Sequence, residues 1–273
     1  MQLSGKSHLY AMLAHPITHV RAPEFLDPIL HAQGIDSFVI PLHVLPEELA
    51  EVVPMLTKLR NLRGVMLTIP HKEAMAKLCH ELGPQGRLVG AVNAVRFEAG
   101  GRLVGDMFDG IGLVRAAHAH DLPITGRRVL LIGAGGAGRA IAFAFARERP
   151  ATLGIANRTA ARAERLVADL RAATPGCPVA VAPADPTGFD LIVNATSLGL
   201  HEADPLPTDP DLLRPEMAVI DIIAATEVTP WRRAAIDIGC RSMGGRPMVE
   251  HQVGSMIEFF GERPRATAAP GGS

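Results

Sequence analysis

Aromatic residues are scarce in this chain, which has one Trp and one Tyr. A surface that grips single-stranded nucleic acid needs stacking rings, so that class of partner is not expected. A formal net charge of −1 offers no basic field to a polyanion either. Cysteine is also rare. Cys79, Cys177 and Cys240 are odd in number and far apart, which fits neither a disulfide framework nor a metal site. They read as buried thiols in a reducing compartment. No run of 18 apolar residues occurs, and Met1-Gln2-Leu3-Ser4-Gly5-Lys6 carries no apolar signal segment. The expectation is a soluble, cytoplasmic protein with no membrane partner. His118 and His120 stand two apart on a predicted helix and cannot share a face, so no metal is expected there.

What the chain does have is glycine in a telling place. Val129-Leu130-Leu131-Ile132 runs straight into Gly133-Ala134-Gly135-Gly136-Ala137-Gly138, and a helix-forming run to Arg147 follows. Gly133, Gly135 and Gly138 fit G-x-G-x-x-G. The first permits the turn, the second lets a pyrophosphate approach the backbone, and the third lets helix and strand pack closely. The helix N-terminus then offers N–H groups and partial positive charge to the phosphate. Gly133, Gly135, Gly136, Ala137 and Gly138 are therefore candidate dinucleotide contacts.

A chain of 273 residues, 48% hydrophobic, suffices for two domains. Short apolar strands are predicted at 9–13, 37–42 and 64–69, with helices at 23–33, 47–58 and 73–82. Residues 92–97 and 102–104 flank Glu98-Ala99-Gly100-Gly101, a hairpin signal. A helix over 111–120 leaves this unit. Past the glycine loop, strands are predicted at 152–156, 179–181, 191–193 and 218–220, with a helix at 159–173. That alternation implies a doubly wound parallel sheet. A final amphipathic helix, 248–260, is expected to return to the first unit. The expected organisation is α/β throughout. Residues 1–111 and a C-terminal segment 245–262 bind substrate, residues 112–244 form a Rossmann-type cofactor domain, and 263–273 are a disordered tail.

The position about 20 residues past the glycines selects the cofactor: an acid holds the 2′-hydroxyl of NAD, a basic residue the 2′-phosphate of NADP. Here stand Asn157-Arg158-Thr159, with Arg162 one turn on, and no carboxylate between 153 and 163. Arg158 can pair with a phosphate bidentately, so NADP is expected over NAD.

Several further stretches are less generic. They are Thr68-Ile69-Pro70-His71-Lys72, Gly90-Ala91-Val92-Asn93, Asp109-Gly110-Ile111-Gly112, Asn194-Ala195-Thr196-Ser197-Leu198-Gly199 and the run from Gly245 to Gln252. With these motifs in order over about residues 14–252, the chain resembles the shikimate dehydrogenase family. The resemblance implies a two-domain enzyme that passes hydride from a ring hydroxyl of shikimate to NADP, giving 3-dehydroshikimate. It also implies a Lys72–Asp109 catalytic dyad, substrate contacts at Thr68, Asn93 and Gln252, and Thr196 beside the cofactor. The residues alone are compatible. Lys72 follows a strand at a helix N-terminus, where ligands of α/β sheets collect. A carbinol that loses hydride must also lose its hydroxyl proton, and a lysine takes it when its ammonium is made easier to deprotonate. Without the resemblance, Lys72 reads as a solvated helix lysine and Asp109 as an N-cap.

The chain also departs from the family. The motif G-x-P-I-x-H-S-x-S-P has two serines that bind the substrate carboxylate, and here it reads Ala14-His15-Pro16-Ile17-Thr18-His19-Val20-Arg21-Ala22-Pro23. Val20 and Ala22 cannot donate a hydrogen bond. Arg21 between them is a candidate carboxylate clamp if it turns inward, and otherwise faces solvent. Met66 stands where the family has Asn, Phe108 where it has Thr, and Ala224 where it has a pocket Tyr. Losing such partners relaxes or redirects specificity. The expected activity is oxidation of shikimate or a related cyclic hydroxy acid by a divergent family member. A quinate-type or other small carboxylate dehydrogenase and a non-catalytic sensor are the alternatives, and the expected assembly is a monomer or homodimer.

Overall fold

The computed structural model describes residues 1–201 and 203–263. From residue 264 on, the expected tail lies outside the described residues. The first sheet grows from the apolar strand β1 (His8–Ala14), whose last five residues are buried. Helix α1 (Ala22–Ala32) follows, opened by Pro23. Then come β2 (Ser37–His43), α2 (Leu49–Leu56), β3 (Leu62–Leu67) and α3 (Lys72–Leu78). Next are β4 (Glu81–Leu82), α4 (Pro84–Val89), β5 (Ala94–Phe97) and β6 (Leu103–Asp106). The order is β2-β1-β3-β5-β6-β4. Pairs β1/β2, β1/β3 and β4/β6 are parallel, whereas β3/β5 and the β5/β6 hairpin are antiparallel.

Two helical expectations are corrected here. The helix expected over 73–82 ends at Leu78, and Leu82 lies in β4. Cys79 turns extended, and the amides of His80 and Gly83 bond to the carbonyls of Leu103 and Gly105. A neighbouring strand thus captures backbone that the apolar spacing had assigned to the helix. The helix expected over 47–58 is a 3₁₀ turn, Pro46–Glu48, running into the shorter α2.

Helix α5 (Asp109–Ala119) links the two sheets. The second sheet holds β7 (Arg128–Ile132), β8 (Thr152–Ala156), β9 (Val179–Val181), β10 (Leu191–Asn194), β11 (Ala218–Asp221) and β12 (Arg241–Met243). Its order, β12-β11-β10-β7-β8-β9, is parallel throughout. The order reverses between β7 and β10, the switch point at which such sheets bind ligands. Helices α6 (Gly136–Arg147) and α7 (Ala160–Ala173) cover one face. Val129 and Leu131 of β7 pack there with Phe143 and Leu166. Leu130 and Ile132 face the other way, against Ile192, Val219 and Trp231. Trp231 lies on α8 (Pro230–Ile238), and its indole N–H donates to Thr208 Oγ1 at 2.9 Å.

The last helix, α9 (Arg246–Phe260), crosses back to the first sheet. Val253 and Met256 pack with Tyr10, Leu26 and Met66. It also lies close along α5, where a methyl on Gly112 would come within 2.6 Å of the Met248 carbonyl. This return places Gln252 beside residues of the first sheet.

Candidate active site

Lys72 is the first residue of α3, directly after the turn that ends β3. Two bonds fix that turn. The His71 ring, 1% exposed, bonds through Nε2 to the Val44 carbonyl at 2.9 Å, and the Lys72 carbonyl accepts from the Val92 amide at 3.0 Å. Burial holds the His71 pKa below its ordinary value. Asp109 is likewise the first residue of α5 rather than the cap before it. The preceding amide, of Phe108, donates to Asn93 Oδ1 at 2.9 Å.

These anchors bring four side chains together. Lys72 Nζ donates to Asp109 Oδ2. Asn93 Nδ2 donates to Asp109 Oδ1 at 2.7 Å and to Gln252 Oε1 at 2.8 Å. The Asp109 side chain is 3% exposed and that of Lys72 13%. Taking two charges out of water is costly, and a paired, hydrogen-bonded arrangement offsets the cost. The lysine head is thus held by the Asp109 carboxylate, which accepts from it, at the wall of a cavity of about 160 Å³. Thr68 lines the same cavity.

The glycine loop lies against Lys72. A methyl on Gly136 would sit 3.2 Å from Lys72 Cβ and 3.3 Å from Ala91 Cβ. Gly133 has φ +116°, and a side chain there would also meet the Ala195 carbonyl at 2.6 Å. A methyl on Gly138 would overlap the Gly133 carbonyl, whereas Gly135 faces open space. These are the turn, packing and approach roles that a pyrophosphate cradle needs. Ala137 and Thr196 line the cavity beside Lys72 and Asp109. The Thr196 hydroxyl donates to Asn194 Oδ1 at 2.6 Å and accepts from the Leu198 amide at 3.0 Å, which shapes the turn after β10.

At the end of β8, Asn157 accepts from the Ala134 amide at 3.0 Å and donates to the Thr159 carbonyl at 2.9 Å. It therefore braces the glycine loop. Arg158, Thr159 and Arg162 are exposed beyond it. The groups present thus fit a dinucleotide with a 2′-phosphate: Gly135 open to the pyrophosphate, two surface guanidiniums past β8, and no competing carboxylate at 153–163.

The altered positions cluster. Val20, Ala22, Met66 and Ala224 all line the cavity, whereas Phe108 does not and packs at a tilt with its ring 5.3 Å from that of Phe259. Arg21 stands at the cavity rim with its guanidinium bonded to Glu24 Oε2 at 2.7 and 2.9 Å. Among the described residues, the substrate contacts expected at Thr68, Asn93 and Gln252 thus fall with the dyad, and Arg21 falls at the edge.

Sequence reasoning missed one buried network. Asp221 accepts from Asn194 Nδ2 at 3.1 Å, from the Thr229 hydroxyl at 2.6 Å and from the Ile223 amide at 3.2 Å. Burial raises its pKa, against these bonds. It ties the loops after β10 and β11 together behind Ile222 and Ile223, which line the cavity. Its only signal in the sequence is a polar residue closing an apolar strand.

A Rossmann-type sheet whose glycine loop abuts a buried Lys–Asp pair is the framework of a dinucleotide-dependent oxidoreductase. The family model for the shikimate dehydrogenase substrate binding domain matches residues 12–95, and that for shikimate / quinate 5-dehydrogenase matches residues 115–200. The chain is 37% identical over 261 residues to shikimate dehydrogenase (NADP(+)) of Geobacter metallireducens, covering 92% of this chain and 90% of the relative. It superposes with TM-score 0.85 on a shikimate dehydrogenase solved with NADP+ (26% identity, 97% and 93% of the two chains). It also superposes with TM-score 0.79 on the ligand-free 5-ketofructose reductase of a Gluconobacter strain (28% identity, 94% and 94%). The chain belongs to the shikimate dehydrogenase family.

Proposed function

We propose that this protein is an NADP-dependent dehydrogenase that reversibly oxidises a ring hydroxyl of shikimate or a closely related cyclic hydroxy acid. The observation that carries this is the buried Lys72–Asp109 pair in a cavity shared with the glycine-loop residue Ala137. The relatives, NADP-dependent shikimate dehydrogenases, support the reaction and the cofactor. Residues 1–111 with α9 hold the substrate, and residues 112–244 hold the cofactor.

Gly133, Gly135 and Gly138 with the α6 N-terminus would hold the pyrophosphate, and Arg158 with Arg162 the 2′-phosphate. When bound, the nicotinamide supplies the acceptor or donor of hydride. Lys72 then takes the hydroxyl proton in oxidation and returns one in reduction, within hydrogen-bond reach of the reacting oxygen. Asp109 keeps the lysine head aimed into the cavity, and Asn93 fixes Asp109 by bonding its other oxygen. Thr68 and Gln252 bind the ring. The cavity wall at Val20, Ala22 and Met66 favours a second reading beside the first, a dehydrogenase of quinate or another small carboxylate. A pure cofactor sensor has no use for a lysine and an aspartate buried at desolvation cost.

The test is initial rates of nicotinamide absorbance change, with shikimate, quinate and simpler ring hydroxy acids, each with NADP and NAD. Turnover of shikimate with NADP supports the first reading. Turnover of another acid alone moves the substrate and keeps the chemistry. NADP binding without turnover of any acid overturns the catalytic reading.

A further inference from the structure

Beside the cavity that holds Lys72 lies a second cleft of about 320 Å³. Arg21, Phe25 and Ala224 line both, so the two spaces join there. Besides the dyad, the first space is lined by His19, Thr68, Thr196 and Ser197, and one stretch of its wall is apolar, at Met12, Val20, Ala22, Leu26 and Met66. The side chains of that apolar stretch cannot donate to a carboxylate. The second is walled by Arg21, Arg232 and Arg246.

Two of these guanidiniums share one ring. The guanidinium carbons of Arg21 and Arg246 lie 5.2 and 4.9 Å from the centre of Phe25. Each is ion-paired to a carboxylate close in sequence, Arg21, just before α1, to Glu24 and Arg246 to Glu250, both at 2.7 Å. Exposed pairs of this spacing are weak and easily exchanged. A carboxylate held by two guanidiniums beside an apolar cavity gains shorter, charge-assisted bonds. Arg232 is committed elsewhere, to the Glu227 carbonyl at 2.6 Å and Ser242 Oγ at 3.3 Å. Glu227 supplies the opposing charge in this cleft. Ala224 leaves only a methyl at the junction, so a substrate can extend through it.

We propose that Arg21 and Arg246 clamp the substrate carboxylate at this junction. The favoured substrate is then a hydroxy acid whose hydroxyl meets Lys72, whose body lies on the apolar wall, and whose carboxylate projects past Ala224. The proposal rests on the reading above that Lys72 handles the hydroxyl proton. Nothing in the sequence singles out Arg246.

The test compares wild type with Arg21→Gln, Arg246→Gln and the double variant, using shikimate, quinate and the uncharged methyl ester of shikimate with NADP. Binding of the same three compounds to the NADP-loaded protein is measured by calorimetry. The double variant is expected to weaken the acids about tenfold or more, in KM or Kd, while the ester moves less than about twofold. Acids and ester that weaken together, or acids that do not weaken, overturn the clamp. Wild-type turnover with an unmoved KM in the double variant sinks the clamp and leaves the proposed function standing. Acid binding without turnover, lost in the double variant, supports the clamp and sinks the catalytic reading. A wild type that binds no acid overturns the clamp.

Discussion

At Lys72 the proposed chemistry rests on one amine. Lys72→Ala is expected to cut kcat by about 10²–10⁴-fold, the usual worth of a positioned acid–base group. NADP affinity should stay within about twofold, since the glycine loop meets Lys72 only along its aliphatic stem. Steady-state rates with a cofactor titration decide it, and near-wild-type turnover removes Lys72 from the mechanism. Val20→Ser with Ala22→Ser places two hydroxyls on the cavity wall. Each new hydrogen bond is worth about 0.5–1.5 kcal/mol, so KM for shikimate should fall several-fold. An unmoved KM would mean that shikimate binds elsewhere or is not the substrate. Arg158→Asp sets a like charge against the 2′-phosphate. KM for NADP should rise about tenfold or more while KM for NAD changes little. Parallel changes for both cofactors would remove Arg158 from the phosphate site.

At the scale of elements, the β7–loop–α6 unit makes opposite predictions for two of its glycines. Gly138→Ala forces a methyl into the Gly133 carbonyl, a backbone atom that cannot swing aside. Overpacking of this kind costs about 1–3 kcal/mol, so Tm should drop by several degrees without ligand. Gly135→Ala meets no atom within 4 Å and keeps an ordinary φ of −83°. Its Tm should hold while NADP binding weakens, because the methyl occupies the phosphate approach. Thermal melts with and without NADP check both, and equal effects would contradict the division of roles. Elements differed in legibility for physical reasons. The glycine turn was legible because its demands are local. Helix α8 was missed although Thr229 caps it, Pro230 opens it and Gly239 ends it at φ +101°. The end of α3 was misplaced because the bonds that stop it come from β6, some twenty residues away in sequence.

Across the whole molecule, two histidines, His71 buried and His19 half-buried, weaken the fold in acid. Burial lowers the pKa of both His71 and His19 in the folded state. Unfolded histidine titrates near about 6.5, so below that pH the unfolded chain binds more protons than the folded one. Their contribution to stability is full above about pH 7 and falls as pH drops through about 6.5 toward the lower folded values. Urea unfolding at pH 7.5 and 5.5 should show this loss, and His71→Gln should reduce it. An identical pH slope in wild type and variant would show that His71 is not the group responsible. No helix among the described residues is long and apolar enough to cross a membrane.

The sequence by itself determined the strand–turn–helix of the glycine loop and the alternation of most strands and helices, and it carries the expectation of a 2′-phosphate. Those are properties of a few adjacent residues: a positive φ at Gly133, a missing carboxylate past β8, and apolar runs bounded by turn residues. It also placed Lys72 and Asp109 at helix starts. Only the tertiary structure decided what those residues touch. Asn93 and Gln252 are 159 residues apart and meet because α9 returns to the first sheet. Arg21 was ambiguous in sequence, and packing gave it Glu24 on one side and the ring of Phe25, shared with Arg246, on the other. Backbone conformation is dictated within a helical turn or a strand pair, whereas a cavity is made by surfaces that meet only once the whole chain has folded.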